Sequence, residues 1–218
     1  MKNPMRKREQ SPRMREILAL APVVPVLVLP DPEVAVPLAQ ALVDGGLPVI
    51  EVTMRTQSAL DSVVAIRKNV AGAVVGAGTV ISADMAKECH EAGCEFLVSP
   101  GATGELIKVA RIIDVPFLPG VATASEAMGL HAEGFSVCKF FPAGPAGGVG
   151  YLKALAGPLP HLSFCPTGGV DASSAADYLA LPNVAAVGGS WVAPADAIES
   201  GDFDRIRELA ARAAALRA

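Results

Sequence analysis

The chain has 218 residues, of which 51% are hydrophobic and 5% aromatic, and a formal net charge of −4. That apolar content supports a large core and excludes a disordered chain. The mild negative charge gives no footing for nucleic acid or an anionic membrane, and the scarcity of aromatics leaves no base-stacking platform. The length suits one domain of the larger kind or two small ones.

Met1 to Arg15 is basic, and an apolar stretch from Ile17 to Leu29 follows, with Ala19-Leu20-Ala21 inside it. This outline resembles a secretory signal, but Pro22, Pro25 and Pro30 interrupt the apolar run. The reading taken is a flexible basic tail over residues 1–15, a short helix over roughly residues 12 to 20, and a cytoplasmic protein. No apolar run reaches the ~20 residues that cross a bilayer.

Strand-like runs then recur: VVPVLVL from Val23, VIEVTM from Val49, AVVGAGTV from Ala73, FLVSP from Phe96, PFLPG from Pro116, VCKFFPA from Val137, SFCPTGGV from Ser163 and VAAVGGS from Val184. Their starts lie 20 to 26 residues apart, the length of one βα unit. Helix-like stretches lie between them. Glu33–Asp44 stops at Gly45-Gly46, Ser82–Ala92 opens on a capping serine and stops at Gly93, and Asp202–Leu216 closes the chain. Thr103, Thr123 and Asp171 are further cap candidates. Eight alternating units with no Ser/Gly/Pro linker predict an α/β fold, a (β/α)8 TIM barrel over residues 16–218 with a short N-terminal helix; an open doubly wound sheet is the alternative.

A barrel of this kind binds ligands at the C-terminal ends of its strands, with alternate residues pointing inward. Lys139 stands in the middle of an apolar strand. It either points to water from a sheet edge, or sits in a dry site where a neutral amine can attack a carbonyl. On the second strand Glu51, Thr53 and Arg55 share one face by alternation. They are read as a functional set or, alternatively, as a buried ion pair. Gly76 and Gly78 form a small-residue run through which a substrate could approach the backbone. Ser99-Pro100-Gly101 closes the fourth strand, and Phe141 shares the face of Lys139. Thr167-Gly168-Gly169 and Gly188-Gly189-Ser190 end the seventh and eighth strands, the corner where such barrels bind phosphate through backbone N–H groups. An amine, a carboxylate, a guanidinium and a phosphate cradle at one mouth imply a phosphorylated 2-keto acid and a metal-free imine route to carbon–carbon cleavage.

The four cysteines, Cys89, Cys94, Cys138 and Cys165, form no C-x-x-C pair and read as buried free thiols of a reducing compartment. His90, His131 and His161 are scattered, so no metal site is expected. His90 and Cys94, four apart on a predicted helix, read as surface positions.

The ordered stretches VVPVLV, GGLPVIEVTMRT, VGAGTV, FLVSPG, PFLPGVATASE, KFFPA, FCPTGG and VGGSW resemble the family of 2-keto-3-deoxy-6-phosphogluconate (KDPG) and 4-hydroxy-2-oxoglutarate (KHG) aldolases, from about Ile17 to the C-terminus. The resemblance implies a class I pyruvate aldolase of the Entner–Doudoroff pathway. Lys139 would be its Schiff-base lysine, Glu51 its acid/base and Arg55 the group near the keto-acid carboxylate. Thr53, Thr79, Pro100, Phe141 and Thr167 would line the substrate pocket; Gly168, Gly169, Gly189 and Ser190 would hold the phosphate. It implies no cofactor and a homotrimer. The loop Gly144-Pro145-Ala146-Gly147-Gly148-Val149-Gly150-Tyr151 departs from the family pattern in lacking an acidic residue just after KFFPA. Alternatives are the 4-epimeric phosphogalactonate aldolase, or a phosphosugar-binding barrel without chemistry.

Overall fold

A computed structural model describes residues 11–217; residues 1–10 of the expected basic tail lie outside the described residues. Residues 11–15 belong to the folded part, which corrects the boundary read from charge alone. Helix α1 (Pro12–Ala19) buries Met14 and Leu18 completely or nearly so. The Ser11 Oγ accepts from Ser136 N–H at 2.7 Å, and Arg15 donates to the Ser136 carbonyl at 2.7 Å and to Ser163 Oγ at 3.1 Å. The basic residue nearest the first strand is thus a hydrogen-bonding clamp.

Strands β1 (Val23–Leu27), β2 (Val49–Thr53), β3 (Val74–Gly78), β4 (Leu97–Val98), β5 (Phe117–Leu118), β6 (Gly120–Val121), β7 (Val137–Phe140), β8 (Ser163–Pro166) and β9 (Val187–Gly189) alternate with helices, except that β5 runs on to β6 with one residue between. The pairing is parallel throughout and falls into two sheets, ordered β5–β4–β3–β2–β1–β9 and β6–β7–β8. The fold is therefore α/β with a curled parallel sheet. The run expected as one strand from Pro116 is divided at Pro119, which has no N–H to give the ladder. Parallel bridges join Phe164 to Val184 and Thr167 to Gly188.

Two apolar layers hold the fold. Ile50, Val52, Ala77, Leu97, Cys138 and Phe140 point outward, against helices that include α2 (Ala35–Asp44), α3 (Ala59–Asn69), α4 (Ala83–Glu91), α5 (Gly104–Ile113), α6 (Ala124–Ala132) and α7 (Gly148–Ala156). The alternate residues Val49, Phe96, Val98, Val137, Cys165 and Ala186 form an inner cluster with Met14 and Leu18. The inner cluster lies one inward step before Glu51, Lys139, Thr167 and Gly188 on their strands, so it is a floor beneath them, with α1 packed against it.

Helix starts follow the expected chemistry. Ser82 and Thr103 accept from Met85 N–H and Leu106 N–H, and Thr123 forms a reciprocal capping box with Glu126. The two N–H groups held by the Glu126 carboxylate depress its pKa. Asp171 caps a turn rather than the helix itself: its Oδ1 accepts from the N–H and hydroxyl of both Ser173 and Ser174, and these bonds lower its pKa to about 2. Helix α8 (Ala175–Leu179) begins just beyond.

Candidate active site

Lys139 is the inward residue of β7, in register with Gly120 on β6 and Cys165 on β8. Its neighbours Cys138 and Phe140 face the helices, so alternation sends the lysine to the interior. Glu51 does the same on β2, in register with Val26 and Gly76. The two side chains, 88 residues apart in sequence, meet with Nζ and Oε1 at 3.2 Å. They are only 6% and 3% exposed, which excludes the solvent-facing edge lysine weighed from sequence. An isolated charge at such depth is strongly disfavoured, and each partner offsets the other's desolvation. The ring centroid of Phe141 lies 5.3 Å from Nζ, a cation–π distance.

The carboxylate reaches this position because β3 ends on a glycine. A Cβ at Gly78 would lie 2.6 Å from Glu51 Cγ and 2.7 Å from its carboxyl carbon, and closer still to Oε1. The room at Gly78 thus serves the protein's own carboxylate, where the sequence suggested an approach path for substrate. The same relation recurs on the other side: a Cβ at Gly188 would collide with the Thr167 hydroxyl and stand 3.0 Å from its methyl. Neither relation is readable from one strand, since strand register decides which glycine lies under which side chain.

The other site residues take varied positions. Thr53 is buried, and its hydroxyl donates to the Leu27 carbonyl at 2.8 Å, tying β2 to β1. β2 ends at Thr53, so Arg55 is not on the strand face expected from alternation; it is exposed in the following turn, its N–H donating to the Thr53 carbonyl. Thr79, half-buried, follows β3 with a left-handed φ of 59°. Pro100 is half-buried after β4, its backbone against Gly120 so closely that a Cβ there would lie 2.6 Å from Gly101 N. Phe141 is half-buried after β7, and its ring covers Gly168.

Thr167 is buried at the end of β8. Gly168 and Gly169 follow with φ of 87° and 79°, values that suit glycine alone. The loop after β7 is stitched to them, Ala143 N–H to the Thr167 carbonyl at 2.8 Å and Gly144 N–H to the Gly168 carbonyl at 2.9 Å. Gly189 ends β9 beneath the Trp191 ring, and Ser190 is exposed beside a cavity of about 210 Å³ walled by Val26, Val28, Pro194 and Ile198. The bridge between Thr167 and Gly188 puts these two glycine turns at adjoining strand ends. Among the described residues no cluster of three or more His, Cys, Asp or Glu side chains is arranged to hold a metal ion.

A buried amine touching a buried carboxylate, at strand ends flanked by paired glycine turns, is an arrangement for imine chemistry with local proton transfer. Comparison with known proteins gives the same reading. A KHG/KDPG aldolase of Escherichia coli (strain K12) is 50% identical over 197 residues, covering 90% of this chain and 92% of its own. A KDPG aldolase structure from Legionella pneumophila, with pyruvate captured as a covalent carbinolamine, superposes with a TM-score of 0.90 at 42% identity over 92% of this chain and 97% of that one. The Zymomonas mobilis ZM4 enzyme, solved with 3-phosphoglycerate, superposes with a TM-score of 0.89 at 47% identity over 95% of this chain and 97% of that one. The family model described as KDPG and KHG aldolase matches residues 14–209, and by that match and these identities the chain belongs to the KDPG and KHG aldolase family.

Proposed function

We propose that the protein is a class I aldolase that cleaves 2-keto-3-deoxy-6-phosphogluconate to pyruvate and glyceraldehyde 3-phosphate. The observation that carries this is the 3.2 Å contact between Lys139 Nζ and Glu51 Oε1, both side chains deeply buried. The amine adds to the C2 ketone, giving a carbinolamine. Loss of water then leaves an imine that can accept an electron pair. Glu51 takes the proton of the C4 hydroxyl, the C3–C4 bond breaks, and the aldehyde departs. The enamine left on Lys139 is protonated at C3, and water returns to release pyruvate and free the amine. Excluding solvent strengthens each of these charge interactions.

Substrate placement follows from the same strand ends. Thr167, buried beside the lysine strand, is assigned to the keto-acid end together with Arg55 at the rim. Thr53, Thr79, Pro100 and Phe141 are assigned to the pocket wall. Gly168, Gly169, Gly189 and Ser190 are assigned to the phosphate, whose remote binding energy holds the reacting bond in place. Activity on 4-hydroxy-2-oxoglutarate is expected as well, in line with the double name of the E. coli relative.

We infer further that the two sheets are arcs of one closed (β/α)8 barrel forming, with α1, a single domain over the described residues 11–217. The single residue Pro119 between β5 and β6, and the bridges from β8 toward β9, support closure. A cytoplasmic homotrimer is proposed on the family resemblance; the exposed Ile81, Ile112 and Met128 are apolar side chains available for burial in it. Among the described residues no helix is long and apolar enough to cross a membrane.

Incubation with pyruvate and borohydride tests the reaction. The expected result is a stable adduct at Lys139 and loss of aldolase activity. No adduct, or an adduct at another lysine, would overturn the proposal.

A further inference from the structure

Helix α4 ends in a paired turn. Gly93 has φ +83°. Its N–H donates to the His90 carbonyl at 2.8 Å, and Cys94 N–H donates to the Cys89 carbonyl at 2.9 Å. This closure sets the side chain three from the helix end against the one just past the glycine. Helix α2 ends the same way on Leu42 and Leu47, and α6 on Leu130 and Phe135, with the same backbone bonds at 2.9 and 3.0 Å. In those two units the contact is between buried apolar side chains. In α4 the two paired positions are buried thiols, Cys89 and Cys94. Sequence spacing suggested a surface helix position for Cys94; the structure instead buries it just beyond the helix end, at 4% exposure, with Cys89 wholly buried.

Both thiols are free, and neither takes part in the Lys139 site. Cys94 lies before β4, at the opposite end of the strands from the active-site residues. It lines a cavity of about 520 Å³ under α1, together with Arg13, His90, Glu95 and Asp114. Standard backbone lengths added to the 2.9 Å bond limit the Cα–Cα separation of the two cysteines to about 6.8 Å. Disulfides are found over about 4.4–6.8 Å.

We propose that Cys89 and Cys94 form a dithiol that closes to an intramolecular disulfide when a peroxide enters this cavity. The Cys94 sulfur attacks one peroxide oxygen. The O–O bond breaks, the thiol proton leaves with the departing hydroxide as water, and Cys94 becomes a sulfenic acid. Cys89 attacks that sulfur, the S–O bond breaks, and the second thiol proton leaves with the hydroxide as a second water. Two electrons pass from the thiols to the peroxide, and one S–S bond replaces two S–H bonds. The crosslink ties the end of α4 to the start of β4, away from Lys139, so catalysis is unaffected.

The test treats reduced full-length protein with hydrogen peroxide, alkylates it under denaturing conditions and maps the peptides by mass. Cys89 and Cys94 fall in one tryptic peptide. The expected peptide is unalkylated, lighter than the dithiol by two hydrogens and restored by dithiothreitol, while Cys138 and Cys165 are alkylated. Alkylation of both Cys89 and Cys94, a sulfinic acid at Cys94 without a crosslink, or a crosslink between Cys138 and Cys165 would each overturn the proposal. In Cys89→Ala the expected product is a sulfenic acid at Cys94 trapped by dimedone, and its absence counts against the proposal. If that variant does not fold, the map of the parent protein decides.

Discussion

Replacing Gly78 by alanine probes the geometry of the proposed acid/base group without changing that residue itself. The new methyl carbon would start 2.6 Å from Glu51 Cγ and 2.7 Å from the carboxyl carbon. Carbon atoms rest at about 3.5 Å or more, so the carboxylate must retreat by about 1 Å. It cannot do so and stay 3.2 Å from Lys139 Nζ unless β2 itself shifts. A displacement of about 1 Å in a catalytic group lowers rate by roughly 10²-fold, or about 2.7 kcal/mol. Pyruvate release from the phosphorylated keto acid, coupled to NADH oxidation by lactate dehydrogenase, reads kcat directly. The prediction is a kcat about 10²-fold below the parent, with borohydride trapping of pyruvate on Lys139 retained, because the amine keeps its place. A folded Gly78→Ala protein with kcat within about threefold of the parent would refute the reasoning.

Three other predictions address separate layers. Glu51→Gln is expected to lower kcat by roughly 10²–10⁴-fold in the same assay while pyruvate trapping persists; unchanged turnover would remove Glu51 from proton transfer. Met14→Ala, in the wholly buried floor, is expected to destabilise by about 2–5 kcal/mol in urea unfolding, and a loss under about 1 kcal/mol would count against α1 as part of the core. Asp171 has a folded-state pKa of about 2, below the unfolded value of about 3.9. Its contribution is therefore full above about pH 4 and is lost as pH falls toward about 2. Asp171→Asn should lower Tm at pH 7, and the gap should narrow steadily in melts taken down to pH 3; a gap independent of pH would contradict the assignment.

The legible parts of this molecule are those with a period. Val137, Lys139 and Glu51 could be assigned a side of the sheet because strand alternation is local. The stop at Gly45-Gly46 and the caps at Ser82, Thr103 and Thr123 are local too. Alternation continued from Glu51 puts Arg55 on that same face, but the strand ends two residues before it. The chain turns after Thr53, whose hydroxyl is committed to Leu27, a contact from another strand that no spacing reveals. Gly78 reads as an opening toward substrate and Gly188 as part of a phosphate turn, and the use of each depends on which neighbour leans over it. The division at Pro119 could have been found from its missing N–H. The burial of Ser11 and the clamp made by Arg15 could not, since their partners lie more than a hundred residues away. The side of Cys94 followed from the turn after α4, where a glycine ends the helix early and redirects the chain inward.

Helix α1 and the cluster around Met14 and Leu18 form a sealed base under the reacting pair. A vessel stoppered at one end fills and empties by its other end only. In the proposed reaction pyruvate stays bonded to Lys139 after the C3–C4 bond breaks, so the aldehyde departs first, through that open end. Ordered release thus follows from the covalent tether of the proposed reaction together with the closed base, and inhibition patterns by the two products should differ accordingly.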